Sequence, residues 1–441
     1  MPNEVNVDQM SQAFKERYPT TEAFIKASQV IKQLQADFPF DNGGIPGKAW
    51  NEAILMTEEQ GVVYSTAGTD ATLPTPIPMK MERARFVGNK IEMVSAVSLE
   101  AALRGDTNDQ SMARTVFTAQ GSMRDTHVMR KEWNLLNGGR SVAEIDTGGI
   151  AAGATSAQKK LTFTVESWVP TLWTRAVNAT FDIYDEDSEA RDANSVKRND
   201  SSASAVYTCV SVDFDTRTVT FNAPASSDWD DVVAGDRLWW STSYLQESLG
   251  MTAIAADTSG SIFLTPPEGS STVPVYGIWK GITKDLSGAP LTMNSITDFC
   301  AEVADRSSED NILTLRVGPR QYHGLNIELT ASRYYDGSYK KDITNGFESI
   351  RFYTPNGQIQ IKSHRLMRWG EALLTDDTCF SRRGVTEMEN TFPDGSGGFK
   401  LYRLRDTKNQ LEFRTYSQDG MFCNKPYRAV IFKNASVPGR S

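Results

Sequence analysis

The sequence predicts an α+β fold with a small all-β domain inserted in it. Three observations predict this. One long amphipathic helix is written between Thr107 and Gly139. A run of short alternating stretches fills 178–284, and after residue 290 helical and strand patterns interleave. With 441 residues the chain is long for one core, so two or more lobes are expected. At 39% hydrophobic and 23% charged it has the composition of a globular protein.

The helix carries the clearest signals. Thr107-Asn108-Asp109-Gln110 reads as a capping box. Met112, Val116, Ala119, Met123, Thr126, Met129, Trp133 and Leu136 then recur at steps of three and four, which makes one apolar face. Gln120, Arg124, Asp125, Arg130, Lys131 and Glu132 fall mostly on the opposite, polar face. Asn137-Gly138-Gly139 supplies the stop. The helix is then roughly 40 Å long. Gly121 inside it predicts a weak point or a close contact, since Gly costs about 1 kcal/mol relative to Ala there.

Ahead of it, Thr21–Phe38 has a helical face of Phe24, Ala27, Ile31, Leu34 and Phe38, and Met1–Thr20 reads as an arm. Gly61–Ser65 reads as a short strand. Pro74, Pro76 and Pro78 then forbid a central ladder and keep the chain extended. Lys80–Arg85 is charged, and Asn89–Val97 alternates as a strand. Two readings of 60–98 stand at this level: an arm that lies on another surface, or an ordinary surface loop.

After the helix, Ser141–Ile145 and Leu161–Val165 read as strands around a Gly/Ala/Ser/Thr-rich linker, Thr147–Gln158. Trp168 and Trp173 suggest a packing cluster, or an aromatic ligand platform. Within 178–284, strands are expected at Thr180–Tyr184, Val206–Asp213, Thr218–Asn222, Arg237–Thr242, Ser261–Thr265 and Val273–Trp279, enough for a small barrel or sandwich. Beyond 290, Ser295 caps a helix with Ile296, Cys300 and Val303 on one face, Ile312–Val317 is a strand, and Pro319 starts a second helix. Phe347–Ser363 is a hairpin around Pro355-Asn356-Gly357, and Leu401–Tyr416 another.

Chemistry is hard to find. The histidines His127, His323 and His364 lie far apart, with no HExxH pattern. No GxSxG, phosphate-cradling or dinucleotide glycine motif occurs, so no catalytic, cofactor-binding or metal-binding residue is nominated. Asp185, Asp187 and Glu189 start like a calcium loop, but Ala190 and Val196 stand where Gly and Glu are needed. Cys209, Cys300, Cys379 and Cys423 form no CxxC pair and read as free buried thiols. A net charge of −9 argues against a basic groove that grips nucleic acid. No run approaches the roughly 18–20 apolar residues of a membrane span.

The order of parts resembles the major capsid proteins of tailed bacteriophages, the Hong Kong 97-type capsid fold. The local likeness is in Ala67-Gly68-Thr69, Leu73-Pro74-Thr75, Leu99-Glu100 and Glu132-Trp133-Asn134-Leu135-Leu136-Asn137-Gly138. Val233-Ala234-Gly235-Asp236 resembles a turn of the inserted β domain, and Phe347–Ile359 the axial-domain hairpin. The resemblance implies an N-terminal arm over 1–59 and an extended loop over 60–106. It implies a spine helix with the first part of the peripheral domain over 107–177, and an inserted β-rich domain over 178–284. An axial domain over 285–399 and a return to the peripheral domain over 400–441 complete it. It implies a non-enzymatic shell protein that self-assembles into hexamers and pentamers around packaged double-stranded DNA. Scaffolding, portal and decoration proteins are the implied partners, with no cofactor and no membrane. Assembly in the host cytoplasm and residence in the virion capsid follow. Lys80, Arg83, Arg85, Lys90 and Glu92 become inter-subunit contact residues. A Lys-to-Asn cross-link, known in some members, has Lys80, Lys90 and Asn434 as its only candidates. Two alternatives remain: an encapsulin-like shell, or a β-rich binding or adhesin protein using the tryptophans of the insert.

Overall fold

The computed structural model describes residues 30–43, 49–68, 72, 74–98, 112–185, 195–198, 206–307, 312–333, 350–354, 357–389, 392–393, 399–400, 403–404 and 410–438. Its axis is one helix, Met112–Asn137. The expected capping box at Thr107–Gln110 lies outside the described residues. The expected stop is present. Gly139 takes a positive φ of 77°, and a Cβ on Gly138 would meet the carbonyl oxygens of Asn134 and Ser248 at 2.4 Å. Only glycine lets the segment at Ser248–Gly250 close over the helix end. Thr252 then donates its hydroxyl to the Leu136 carbonyl at 2.9 Å, and Gly139 N–H donates to Glu247 at 3.2 Å.

The expected polar face is only partly a solvent face. Gln120, Arg124 and Asp125 are exposed or half-buried, but Lys131 and Glu132 are 2% and 0% exposed. The physical reason is that the C-terminal half of the helix is wrapped on all sides. Each buried charge finds a partner from a distant segment, which is the condition for burying it. At Gly121 the expected close contact is missing among the described residues: a Cβ there would meet none of them within 4 Å.

Beside the helix lies a sheet led by Gln410–Cys423, a 14-residue strand. It pairs antiparallel with Asn89–Ser98 on one side and with Phe380–Glu389 on the other. Beyond the helix, the chain forms a closed six-stranded antiparallel barrel. Its order is Arg237–Trp240, Ala143–Ala152, Gln158–Phe163, Thr218–Asn222, Tyr207–Asp213 and Thr180–Tyr184, which returns to the first. The barrel therefore takes in residues well before 178. Much of the Gly-rich stretch expected as a linker is strand, with a register shift between Ile145 and Ile150. Gly148, at φ +72°, supplies the backbone geometry of that shift. Strands expected at Ser261–Thr265 and Val273–Trp279 do not form. Their apolar residues pack instead of pairing: Ile262 and Trp279 are core, and the Trp279 indole donates to the Ile262 carbonyl at 2.7 Å.

A separate core fills a six-stranded sheet of order Ile282–Asp285, Ala429–Lys433, Ala372–Thr375, Ile312–Val317, Gly357–Ser363, Ile350–Thr354. Helix Met293–Asp305 packs on it through Ile296, Cys300 and Val303; its cap is Thr292, accepting from Ser295 N–H, and not Ser295 itself. The final segment splits between sheets, with Gln410–Cys423 beside the long helix and Ala429–Lys433 in the second core. Buried ion pairs tie the cores together. Arg140, just past the helix, makes a two-pronged pair with Glu371 at 2.6 and 2.8 Å.

Candidate assembly surface

The surface is built on a hairpin. Trp50–Thr57 pairs antiparallel with Lys80–Phe86, from Trp50 opposite Phe86 to Thr57 opposite Lys80. Period-two alternation gives it two faces. Glu82, Ala84 and Phe86 point to the body and are buried, with Ile54 and Met56 half-buried beside them. Arg85 N–H donates to the Phe263 carbonyl at 2.7 Å and Thr265 N–H to Arg83 at 3.0 Å, which anchors the hairpin's root. The opposite face carries Ala53, Leu55, Met81, Arg83 and Arg85, all exposed.

Beyond the paired strands the chain projects further. Gly61–Ser65, expected as a strand, has no ladder partner and runs as coil. Gln60 N–H donates to the Ile77 carbonyl at 3.3 Å and so brings the outgoing and returning legs together. Val62, Val63, Tyr64, Ile77 and Met79 are exposed there, Tyr64 at 95%. Leu55 and Met81 extend this apolar surface along the hairpin. A set of large apolar side chains concentrated on one projection marks a contact surface.

Of the contact residues expected from sequence, Arg83 and Arg85 sit on this open face, Arg83 bonded to Asn51 at 3.1 Å. Lys80 is held at the hairpin's end, 3.4 Å from Glu82 and over the Tyr276 ring at 4.9 Å. The Tyr276 hydroxyl, with Glu82 adding, raises its ammonium above the usual range despite slight desolvation. Lys90 and Glu92 lie apart from the hairpin, paired at 2.6 Å on the exposed side of Asn89–Ser98. Asn434, the cross-link candidate, donates to Asp285, while the two lysines bond to Glu82 and Glu92. The apolar residues of the projection were not singled out in the sequence. Their signal was the alternation in Trp50–Thr57, which is legible only with its partner strand.

No protein-family model matches the chain, and no curated protein does. Solved structures do. Over 95% of its length and 98% of the other's, the chain is similar to one from the capsid asymmetric unit of cyanophage A-1(L), at 10% identity and a TM-score of 0.51. Chains from the capsid of cyanophage P-SCSP1u (9% identity, 96% and 93% covered, TM-score 0.45) and of a native GTA particle (8%, 99% and 100%, 0.44) are similar too. This chain has the Hong Kong 97-type capsid fold.

In this capsid fold the long helix is also a docking rail for the segment before the hairpin. Glu132 accepts from Leu34 N–H at 2.6 Å and from the Gln35 backbone and side chain at 3.3 and 3.0 Å, and faces His364 at 3.3 Å. Burial pushes the Glu132 carboxyl up, but His364 and these donors outweigh it and hold it below the usual range. Asp37, on the same short helix Gln33–Asp37, reaches Arg316 at 3.2 Å and Lys362 at 3.1 Å. His127 lies between the Thr415 and Ser417 hydroxyls at 2.9 and 2.7 Å. Burial, with Lys131 adding, lowers it to about 4, so it is a neutral structural residue. His323 is exposed. The tryptophans are buried: Trp168 and Trp173, ahead of 178, stack with Phe163 and Phe181, and within 178–284 Trp229, Trp239, Trp240 and Trp279 are buried as well, Trp239 edge-on to Tyr244. They offer no aromatic platform for an adhesin ligand. All four cysteines are buried free thiols; burial raises Cys209 and Cys300 to about 12. Among the described residues no helix is long and apolar enough to cross a membrane, and no group of three or more acidic, His or Cys side chains is set to hold a metal.

Proposed function

We propose that the chain is the major capsid protein of a tailed phage, assembling into hexamers and pentamers that enclose a double-stranded DNA genome. The single observation that carries this reading is the match over nearly its whole length to a capsid chain, at a TM-score above one half. The projecting apolar hairpin supports it, because Leu55, Val62, Tyr64 and Met81 on it are exposed. A shell repeats one set of contacts around closed rings, and a projection with its own apolar surface is suited to that. In this reading 1–59 is the arm, 60–106 the extended loop and 285–399 the axial domain. Lys80, Arg83, Arg85, Lys90 and Glu92 contact neighbouring subunits. The protein has a structural role without catalysis, assembles in the host cytoplasm, and meets scaffolding, portal and decoration proteins there. The acidic subunit leaves packaged DNA free of specific binding.

Expression of the full chain, alone and with candidate scaffolding protein, followed by electron microscopy, tests this. Closed shells or capsomer rings are expected. A chain that stays monomeric across a wide concentration range in both settings overturns it.

A further inference from the structure

The chain holds four Asn-Gly pairs: Asn42-Gly43, Asn137-Gly138, Asn345-Gly346 and Asn356-Gly357. The first two are described in full, and their settings are opposite. Asn137 closes the long helix with no exposure. Its amide donates to the Leu366 carbonyl at 3.1 Å, and its oxygen accepts from the Thr252 hydroxyl at 3.1 Å. The Gly138 N–H is spent on the Asn134 carbonyl at 3.0 Å. Asn42 is exposed, and its side chain bonds to none of the described residues. Beside it stands a carboxylate: Asp41 Oδ1 accepts the Gly43 N–H at 2.9 Å. Gly43 has a φ of 21°, a backbone that any side chain would strain, so the nitrogen next to Asn42 carries no bulk.

We infer that Asn42 is a self-modifying site, converted to aspartate and isoaspartate by the Gly43 backbone nitrogen with Asp41 as the base. A base must lie within about 2.6–3.2 Å of the group whose proton it takes, and Asp41 meets that condition on the one nitrogen that has to lose a proton. The Gly43 nitrogen forms a bond to Asn42 Cγ as its proton passes to Asp41. The Cγ–Nδ2 bond then breaks, and Nδ2 leaves as ammonia with the proton that Asp41 hands back. A five-membered succinimide remains. Water opens it at either carbonyl, which leaves aspartate or isoaspartate at 42. The net reaction is hydrolysis of one side-chain amide. Its effect falls on a joint. The new carboxylate follows directly on Phe40–Asp41, the strand that pairs parallel with Arg382–Arg383. Isoaspartate also adds a main-chain atom between that strand and the hairpin that starts at Trp50. The step is one-way, and it does not depend on the shell reading.

The test ages the full chain in neutral buffer, folded and in urea. Peptide mapping by mass spectrometry follows each Asn-Gly pair separately, and isoaspartyl methyltransferase labelling confirms the product. In urea the pairs are expected to convert at similar rates. In the folded chain Asn137 is expected to convert at least about tenfold more slowly than in urea, because it must first open locally. Asn42 is expected to convert as fast as in urea or faster. Asp41→Ala, a change at an exposed residue, is expected to slow conversion at 42 in the folded chain by at least about threefold and to leave residue 137 unaffected. Folded chain that converts more slowly at 42 than unfolded chain overturns the inference. So does an Asp41→Ala variant that converts at 42 at the wild-type rate or faster, since the hydrogen bond would then be idle or protective. An Asp41→Ala chain whose Asn137 also loses its protection has lost its fold. Asp41→Asn, which keeps an acceptor without a base, then replaces it and is held to the same two outcomes.

Discussion

His127 shows how a buried polar residue in this chain works through its partners. It has no exposure, and its two ring nitrogens are taken by hydroxyls of the long strand Gln410–Cys423. In the neutral ring one nitrogen donates and the other accepts, and hydroxyls can rotate to serve either. A charged ring would need two acceptors and would sit near Lys131. With its value lowered from 6.5 to about 4, the sign of the pH effect is fixed. Between those values the unfolded chain binds a proton that the folded chain refuses, so stability falls as pH falls. The full contribution is present above 6.5. It is lost at about 1.4 kcal/mol per pH unit down to about 4 and then levels off. His127→Gln keeps a donor and an acceptor without titrating. Its unfolding midpoint in urea is expected to fall less steeply than wild type from pH 7 to pH 5. Equal slopes would count against the role given to His127. Glu132 works in the same direction lower down. Its depressed carboxyl contributes fully above its unfolded value and loses that contribution as pH falls through the folded one.

At the scale of elements, the long helix tests what a glycine is for. Gly121 lies inside Met112–Asn137 with nothing among the described residues within 4 Å of the place its Cβ would fill. Gly121→Ala is therefore expected to stabilise the unassembled chain by up to about 1 kcal/mol, read as a higher unfolding midpoint. If assembly falls at the same time, a neighbouring copy crosses at that point; an unstable variant would mean that the helix is not as open there as described. The helix itself was legible because periodicity and the Asn137-Gly138-Gly139 stop are local signals. The burial of its polar side was not. Glu132 is satisfied by Leu34 and Gln35, and Lys131 by Asp419 at 3.1 Å, and no local window holds such partners. The barrel followed the same rule. Its hairpin around Phe214–Arg217 was readable from alternation and turn chemistry. Its first strand, Ala143–Ala152, was not, because Gly148 and Gly149 serve a register shift and read in isolation as linker. Trp279 and Ile262 alternate like strand residues, yet their indole-to-carbonyl bond packs a coil against the hairpin's root.

The whole molecule divides into parts that hold themselves together and one part that does not. Both cores close within the chain, and the ion pair of Arg140 with Glu371 links across them. The described residues of the projection, 58–68, 72 and 74–79, contribute little to either. Val62 and Tyr64 are 65% and 95% exposed, and Leu55 and Met81 are half exposed. Apolar surface left open in the single chain gains free energy only when another surface covers it, at about 25 cal/mol per Å². Thr57 and Lys80 face each other at the end of the paired strands. Replacing 58–79 with Asn-Gly therefore closes the hairpin with a type I′ turn that matches its twist. The shortened chain is expected to keep its fold, with unfolding free energy within about 0.5 kcal/mol of wild type, as for changes at exposed sites. It is expected to form no closed particles in the electron microscope under conditions where wild type does. If it assembles normally, the projection is not the surface that joins copies. If it unfolds, the projection supports its own body, and the division into self-sufficient cores and an outward-directed hairpin fails.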